Sequence, residues 1–181
     1  MTQKLIRLIT NTFVIIFLLS NAHADYPSTS LAVIDLNYIL SEAKAAKDAA
    51  KQIEEIAINI ENEIKKSDED IINEQNKLIE SQAIMAPESF EKKREEYEKK
   101  VQNYNLKRQE KLMSIDLLVS ESRNEVLNTL KPILEEISNE KGITVLLEKN
   151  SVLLNAESMD ITKDALIILN KELPSLEVSR N

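Results

Sequence analysis

The stretch KQIEEIAINIENEIKKSDEDIINEQNKLIESQAIM, residues 51–85, decides the fold of this chain. It carries one apolar series at heptad spacing, made of Ala57, Ile64, Ile71, Leu78 and Met85. A companion series is apolar only at its start and comprises Ile53, Ile60, Ser67, Glu74 and Ser81. Neither Gly nor Pro occurs between Asn37 and Ala86, and good helix formers dominate there. The stretch is therefore predicted to be a long helix with an apolar seam that thins toward its end.

A second long helix is predicted from about Glu88 toward Lys141, because Pro87 suits a first helical position. Its outer seam comprises Phe90, Tyr97, Val101 and Tyr104. After a one-residue slip near Arg108, its inner seam comprises Leu112, Ile115, Val119, Val126, Leu130, Ile133 and Ile137. Pro132 falls inside this pattern and is expected to kink the helix. Residues 61–80 carry a net charge of -4 and residues 88–111 a net charge of +2, which favours pairing of the two helices as an antiparallel hairpin.

Short strands are predicted on both sides of this hairpin, at residues 31–36 (LAVIDL), 143–149 (ITVLLEK) and 152–155 (VLLN). Gly142 is expected to end the second long helix in the left-handed conformation. Asp160 is predicted to cap a last helix that stops at Pro174, with Ile161, Ala165, Ile168 and Leu169 on its apolar face.

The predicted fold class is therefore α+β and mostly helical, with a small β-containing body and a long antiparallel α-helical hairpin arm. We expect the body to comprise residues 31–50 and 130–174, and the arm residues 51–129 with its tip near 84–89. A single core of this size is marginal on its own, so association between copies is expected.

The first 24 residues are predicted to be a cleaved signal peptide, and residues 25–181 a single domain. Lys4 and Arg7 precede an apolar core, and small residues before the expected cut place it between Ala24 and Asp25. A transmembrane anchor is the alternative, but polar residues at 10–12 leave the apolar run too short to span a membrane. Export to the periplasm is the expectation.

Composition argues against catalysis. The only histidine, His23, lies in the predicted signal, and the chain has no Cys and no Trp. We therefore expect no catalytic, cofactor-binding or metal-binding residues; an enzyme using carboxylates, Lys, Tyr or Ser is the weakest alternative. Loss of Lys4 and Arg7 would move the formal charge from -8 to -10, which disfavours a nucleic-acid partner. The acids at 68–70 and the mixed-charge run at 91–94 are interpreted as solvated helix faces.

The two ends of this pattern resemble the Skp/OmpH family. LAVIDLNYILSEAKAAKDA, residues 31–49, is similar to the opening of these proteins. GITVLLEKNSVLLNAESMDITKDALIILNKEL, residues 142–173, is similar to their ending, with the helix start at Asp160, Ile161 and Thr162. The resemblance is specific at these ends and only compositional in the arm.

The resemblance implies a prefoldin-like, jellyfish-shaped homotrimer that holds unfolded outer-membrane β-barrel proteins in the periplasm without ATP. Contact with a membrane surface would be transient, without stable insertion. The best-known members are basic and this chain is acidic, so no lipopolysaccharide-binding residues are carried over. A structural coiled-coil scaffold or tether of the cell envelope is the alternative.

The candidate client-contact residues are the apolar and aromatic side chains of the outer arm, which alternatively hold the two helices together. They are Ile71, Leu78, Met85, Phe90, Tyr97 and Tyr104. Because the seam thins toward the tip, client binding is expected to use many weak, dispersed contacts.

Overall fold

The computed structural model describes residues 29–179. The chain forms β1 (Leu31–Ile34), α1 (Leu36–Glu42), α2 (Lys44–Gln82), α3 (Pro87–Lys141), β2 (Val145–Glu148) and α4 (Thr162–Glu172). Short 3-10 turns follow β2 at Lys149–Ser151 and precede α4 at Glu157–Met159. The predicted signal peptide, with Ala24 and Asp25 at its cut, lies outside the described residues. Within residues 29–179, no helix is both long enough and apolar enough to cross a membrane.

The mostly helical α+β class is confirmed by two long helices beside a small two-stranded sheet. Helix α2 has 39 residues and α3 has 55, so at a rise of 1.5 Å per residue they extend about 58 Å and about 82 Å. The chain reverses direction at residues 83–86, and Pro87 is the first residue of α3.

Strands β1 and β2 pair in parallel, with Leu31 opposite Val145 and Ile34 opposite Glu148. The whole hairpin therefore connects one strand to its neighbour. The predicted third strand at 152–155 is wrong for the single chain, because a 3-10 turn follows β2 and no ladder forms at 152–155. Instead, Asp160 forms a single parallel bridge with Val33 of β1.

The body has one hydrophobic core between β1, α1, α4 and the C-terminal half of α3. Its fully buried side chains include Ile39, Leu130, Ile133, Ile137 and Leu169. Ile161, Ala165 and Leu169 are buried and Ile168 packs against them, which confirms the predicted apolar face of α4. Since β1 and α1 precede the hairpin and β2 and α4 follow it, the hairpin is an insertion into the body.

The first predicted helix is broken near its start, which the sequence pattern did not indicate. Asp35 caps α1, accepting a hydrogen bond from the Tyr38 amide at 2.8 Å. Ala43 then leaves the helical conformation (φ -58°, ψ 135°), and α2 begins at Lys44, whose amide donates to Asn170 Oδ1 at 2.7 Å. A side chain from α4 thus satisfies an amide at the start of α2, an interaction between residues far apart in sequence.

Helix α3 continues through Pro132 to Lys141. The kink expected at Pro132 stays a prediction. Gly142 ends the helix in the left-handed conformation (φ 64°, ψ 31°), as predicted. The Ile143 amide donates to the Ser138 carbonyl at 2.8 Å, closing the last turn.

The start of α4 differs by one residue from the prediction. Ile161 rather than Asp160 precedes the first helical residue, because the Asp160 backbone takes part in the bridge to β1. The Asp160 carboxylate still accepts a hydrogen bond from the Thr162 amide at 2.9 Å. The capping interaction was therefore predicted correctly in kind, and its position was wrong by one residue.

The C-terminal tail is held against α2. Gln52 Nε2 donates to the Leu176 carbonyl at 2.7 Å, and the Val178 amide donates to Gln52 Oε1 at 3.0 Å. The Leu176 amide also donates to Asp48 Oδ2 at 3.3 Å. The side chain of Leu176 packs against the body core.

Candidate functional site

The candidate site is the hairpin formed by α2 and α3. Near the body its seam is closed by buried apolar side chains, with Ile53, Ile60 and Leu118 at most 8% exposed. Farther out, the apolar and aromatic seam residues on both helices are only half-buried, and the small polar Ser81 is 8% exposed. The thinning predicted from the two heptad series is therefore present, and solvent reaches the seam toward the tip.

Five of the predicted client-contact residues lie on the outer halves of the two helices, and Met85 lies in the turn between them. Half-buried positions are found for Ile71, Leu78, Met85, Phe90, Tyr97 and Tyr104. Their contact with clients stays a prediction.

Tyr104 has a specific partner across the seam. Its hydroxyl donates a hydrogen bond to Asp68 Oδ1 on α2. Partial burial, together with this hydrogen bond to a carboxylate, raises the pKa of Tyr104 above its ordinary value of 10.0. The phenol therefore stays protonated at neutral pH and joins the two helices as a neutral donor.

Two ion pairs also join the helices. Lys111 Nζ lies 2.6 Å from Glu63 Oε2, and Lys100 pairs with Glu74 nearer the tip. These contacts agree with the opposite net charges of the two predicted segments. All four side chains are substantially solvent-exposed, so each pair contributes at most about 1 kcal/mol and chiefly favours one register.

The inner seam of α3 differs from the prediction at two positions. Lys111 and Leu118 lie in the seam, whereas Leu112 and Val119 are 48% and 51% exposed. A lysine occupies a seam position because its long side chain reaches Glu63 at the edge. The change of register does not fall near Arg108. It falls between Leu118 and Leu130, because the seam residues in that interval follow one another at spacings of four.

Exposed apolar side chains outside the seam are the feature that the sequence pattern missed. On α2, Ile58, Ile72 and Ile79 are more than half exposed, at heptad spacing. On α3, the exposed members are Leu106, Leu112, Met113, Leu117 and Val119, and Ile84 is 85% exposed at the tip. Their heptad spacing beside the seam series was the signal from which they could have been found.

A groove of about 440 Å³ opens where the arm meets the body. Small side chains of α2, including Ala46, Ala50 and Ala57, form one wall. Val119 and Arg123 of α3 contribute the other wall. The alanines leave the space because they are too short to fill the gap between the helices.

The mixed-charge run at 91–94 forms local contacts. Arg94 lies 2.7 Å from Glu91 Oε2 and 2.9 Å from Glu98 Oε1 on its own helix. The hydrogen bond to Glu91, and then the charges of Glu91 and Glu98, raise the pKa of Arg94. Over the described part of the chain, no cluster of His, Cys, Asp or Glu has the arrangement of a metal site.

In the body, Lys149 Nζ lies 2.6 Å from Asp160 Oδ2. Partial burial by itself would raise the pKa of Asp160, but hydrogen bonds from Lys149 and Thr162 outweigh it and lower the pKa to about 2. This pair joins the turn after β2 to the segment that bridges β1. Its role is therefore to hold the body together.

Comparison with known proteins gives two similarities. A family model described as outer membrane protein (OmpH-like) matches residues 30–169. A crystal structure of an OmpH-like protein from Caulobacter crescentus CB15, assigned as an outer membrane chaperone, superposes with a TM-score of 0.76 at 16% identity. The superposition covers 90% of this chain and 97% of the other. No curated protein matches the sequence.

Proposed function

Because the chain belongs to the OmpH-like outer membrane protein family, we propose that it is an ATP-independent periplasmic holdase chaperone. It binds unfolded outer-membrane β-barrel proteins and prevents their aggregation. It acts without catalysis or a bound cofactor.

The observation that carries the proposal is a long arm with exposed apolar side chains on more than one face. Ile58, Ile72, Ile79, Leu106 and Met113 are each more than half exposed. Dispersed apolar contacts of this kind suit reversible binding of unfolded chains, since no single contact has to recognise a particular sequence.

The assembly is proposed to be a homotrimer. No strand within residues 29–179 pairs with the outer edge of β2, and unpaired strand edges readily pair with another chain. Leu153 and Leu154 are almost completely exposed in the extended segment that follows β2. A neighbouring copy that covers this edge and these leucines would complete a body that is marginal in one chain.

The trimer is tested by analytical ultracentrifugation of residues 25–181. We expect a trimer for the wild-type chain and dissociation when both Leu153 and Leu154 are changed to Asp. Changing Lys163 and Lys171 to Asp on the exposed face of α4 is the matched control and should leave the mass unchanged. A wild-type monomer at micromolar concentration would contradict the assembly proposal.

The holdase function is tested by diluting a urea-unfolded outer-membrane β-barrel protein with and without the purified chain, in the absence of ATP. We expect stoichiometric amounts to suppress light scattering and a complex to elute from a sizing column. Unchanged aggregation, with the chain still helical and oligomeric, would contradict the proposal.

An envelope scaffold is the second candidate, and one observation favours it. Ile72 and Ile79 lie seven residues apart, about 10.5 Å along the helix, which is the spacing that a packed partner helix prefers. A scaffold would be recovered from envelope extracts with one partner in fixed proportion. A holdase would be recovered with a varied set of unfolded barrel proteins.

A further inference from the structure

Near its start, α2 binds a peptide main chain through two side chains, Asp48 and Gln52, called the backbone-binding pair. Asp48 Oδ2 accepts a hydrogen bond from the Leu176 amide at 3.3 Å. Gln52 Nε2 donates to the Leu176 carbonyl at 2.7 Å, and Gln52 Oε1 accepts from the Val178 amide at 3.0 Å. All three contacts are made to main-chain groups of the C-terminal tail, residues 174–179. The pair therefore binds groups that any peptide segment without proline possesses.

The bound groups have the arrangement of one edge of a β-strand. In an extended chain, the amide and the carbonyl of one residue point to the same side, as do those of the second residue along. The pair binds both main-chain groups of Leu176 and the amide of Val178, and passes over Glu177. Exposure alternates in the same way, since Leu176 and Val178 are half-buried and Glu177 is exposed. Side chains of α2 thus take the place of a neighbouring strand.

The backbone-binding pair is positioned by contacts other than those to the tail. Asp48 and Gln52 lie four residues apart on one face of α2, and Gln52 Nε2 also donates to Asp48 Oδ2 at 3.2 Å. One turn earlier, the Lys44 amide is bound by Asn170 of α4. The start of α2 is therefore anchored to the body independently of the tail, and the pair stays in place when the tail leaves.

The tail can leave without unfolding the body. The last turn of α4 is closed before the tail begins, by the hydrogen bond from the Leu173 amide to the Leu169 carbonyl at 2.8 Å. Within the tail, Leu176 packs against the body core and Val178 is only half-buried. A segment with so few buried contacts opens at a low free energy. Its departure vacates the place of an apolar side chain beside the pair.

We propose that the backbone-binding pair is a site for an extended client segment in which apolar and polar residues alternate, and that the tail occupies this site until a client replaces it. The inference rests on the proposed holdase function and adds the conformation and pattern of the bound segment. Strands of outer-membrane barrels alternate in this way, as Leu176, Glu177 and Val178 do. The apolar residues of the client supply both the bound main-chain groups and the inward side chains.

Replacement of the tail is a competition between two tethered segments. The tail belongs to the same chain, so it competes at an effective concentration of millimolar order. A client already held on the arm by apolar contacts is tethered as well, and competes on similar terms. A free peptide lacks this advantage and therefore binds best when the tail is weakened.

Charge does not select the occupant of this site. The carboxylate of Asp48 and two neighbouring acids are offset by three lysines. The exposed neighbours on α2 are Lys44, Lys47, Lys51, Glu54 and Glu55. Uncharged peptides are therefore the appropriate probes.

Two variants release the tail in different ways. Val178→Pro removes the amide bound by Gln52 and leaves the backbone-binding pair intact. Gln52→Ala also loosens the tail, but it destroys the pair. Glu177→Pro is the matched control, because the Glu177 amide points to the opposite edge of the extended tail.

The probes are two fluorescent seven-residue peptides in which Val and Thr alternate, one N-methylated at every Thr and the other at every Val. The Thr-methylated peptide keeps its Val amides free on the edge that faces the pair, so we expect the Val-methylated peptide to bind at least fivefold more weakly. Val178→Pro should tighten binding of the Thr-methylated peptide about three- to tenfold over the wild-type chain. Glu177→Pro should change it less than twofold, and Gln52→Ala should weaken it.

Three results would overturn the inference. The first is equal binding of the two peptides, or none, in Val178→Pro. The second is equal affinity of Val178→Pro and Gln52→Ala for the Thr-methylated peptide, which would show that the tail only covers an apolar surface. The third is a change of sedimentation mass in Val178→Pro alone, which would show that the tail joins two copies. Suppression of barrel-protein aggregation by the wild-type chain is measured alongside, so that a holdase without this site is distinguished from a chain that is no holdase.

Discussion

The replacement Gln52→Ala is expected to release the C-terminal tail while leaving the body folded. The Gln52 amide makes two hydrogen bonds to the tail backbone, accepting from the Val178 amide at 3.0 Å and donating to the Leu176 carbonyl at 2.7 Å. Alanine is a good helix former, so α2 stays helical while the change removes both bonds, together with the contact of Gln52 Nε2 to Asp48 Oδ2 at 3.2 Å on the same helix.

The magnitude follows from these two bonds. Each contributes about 0.5–1.5 kcal/mol, and Gln52 is partly exposed, so the free energy of opening the tail should fall by about 1–2 kcal/mol. Local opening that is easier by this amount accelerates amide exchange about five- to thirtyfold. The Leu176 amide also donates to Asp48 and its side chain packs on the core, so it should lose less protection than Val178.

Hydrogen exchange followed by NMR at the amides of Val178, Leu176 and Leu169 measures this directly. Lys51→Ala is the control, since Lys51 is the exposed neighbour of Gln52 on α2. Unchanged exchange at Val178 in Gln52→Ala would show that Gln52 does not hold the tail. Equal acceleration at Leu169, in the core of α4, would show that tail and body open as one unit.

Further expectations concern single contacts in the body and the arm. Gly142→Ala should lower the free energy of unfolding, measured by urea titration, by about 1 kcal/mol, because φ is +64° at this position. No atom within 4 Å obstructs a Cβ there, so the cost comes from the backbone conformation alone. Gly142→Asn should cost less, and an Ala variant as stable as wild type would contradict this expectation. Because the pKa of Asp160 is lowered from 3.8 to about 2, the unfolded chain binds its proton more tightly, so the stabilisation is full above pH 4 and is lost as pH falls toward 2. Pairing with the partly exposed Lys149 limits it to about 1–2 kcal/mol, and Asp160→Asn should flatten the stability profile over that range. Tyr104→Phe should lower the free energy of unfolding by about 0.5–1 kcal/mol through loss of the bond to Asp68, and Asp68→Ala should then cost nothing more.

The polar part of the seam near the tip contains one buried hydroxyl. Ser81 is only 8% exposed near the tip, and its hydroxyl donates to the Leu78 carbonyl at 2.8 Å. The buried hydroxyl of Ser81 thus has a hydrogen-bond partner on its own helix, at a position where the companion heptad series is polar.

Local rules were sufficient for the long elements. Heptad spacing from Ile53 to Met85, the absence of Gly and Pro, and Pro87 and Gly142 at the two ends of the second helix led to a hairpin that the structure contains. Each of these signals acts within a few residues, through helix propensity, the fixed φ of proline or the left-handed conformation of glycine.

Contacts between distant residues decided the rest. At the break after Ala43, the amide of Lys44 is bound by Asn170. The start of α4 follows the bridge between Asp160 and Val33. The C-terminal tail is held by Gln52. The same holds for the arm, where the register that runs from Tyr104 to Leu118 places Lys111 in the seam beside Glu63 and leaves Leu112 outside it. Sequence periodicity indicates that a helix has an apolar face, but which residues that face buries is determined by the partner packed against it, and that partner is known only once the chain has folded.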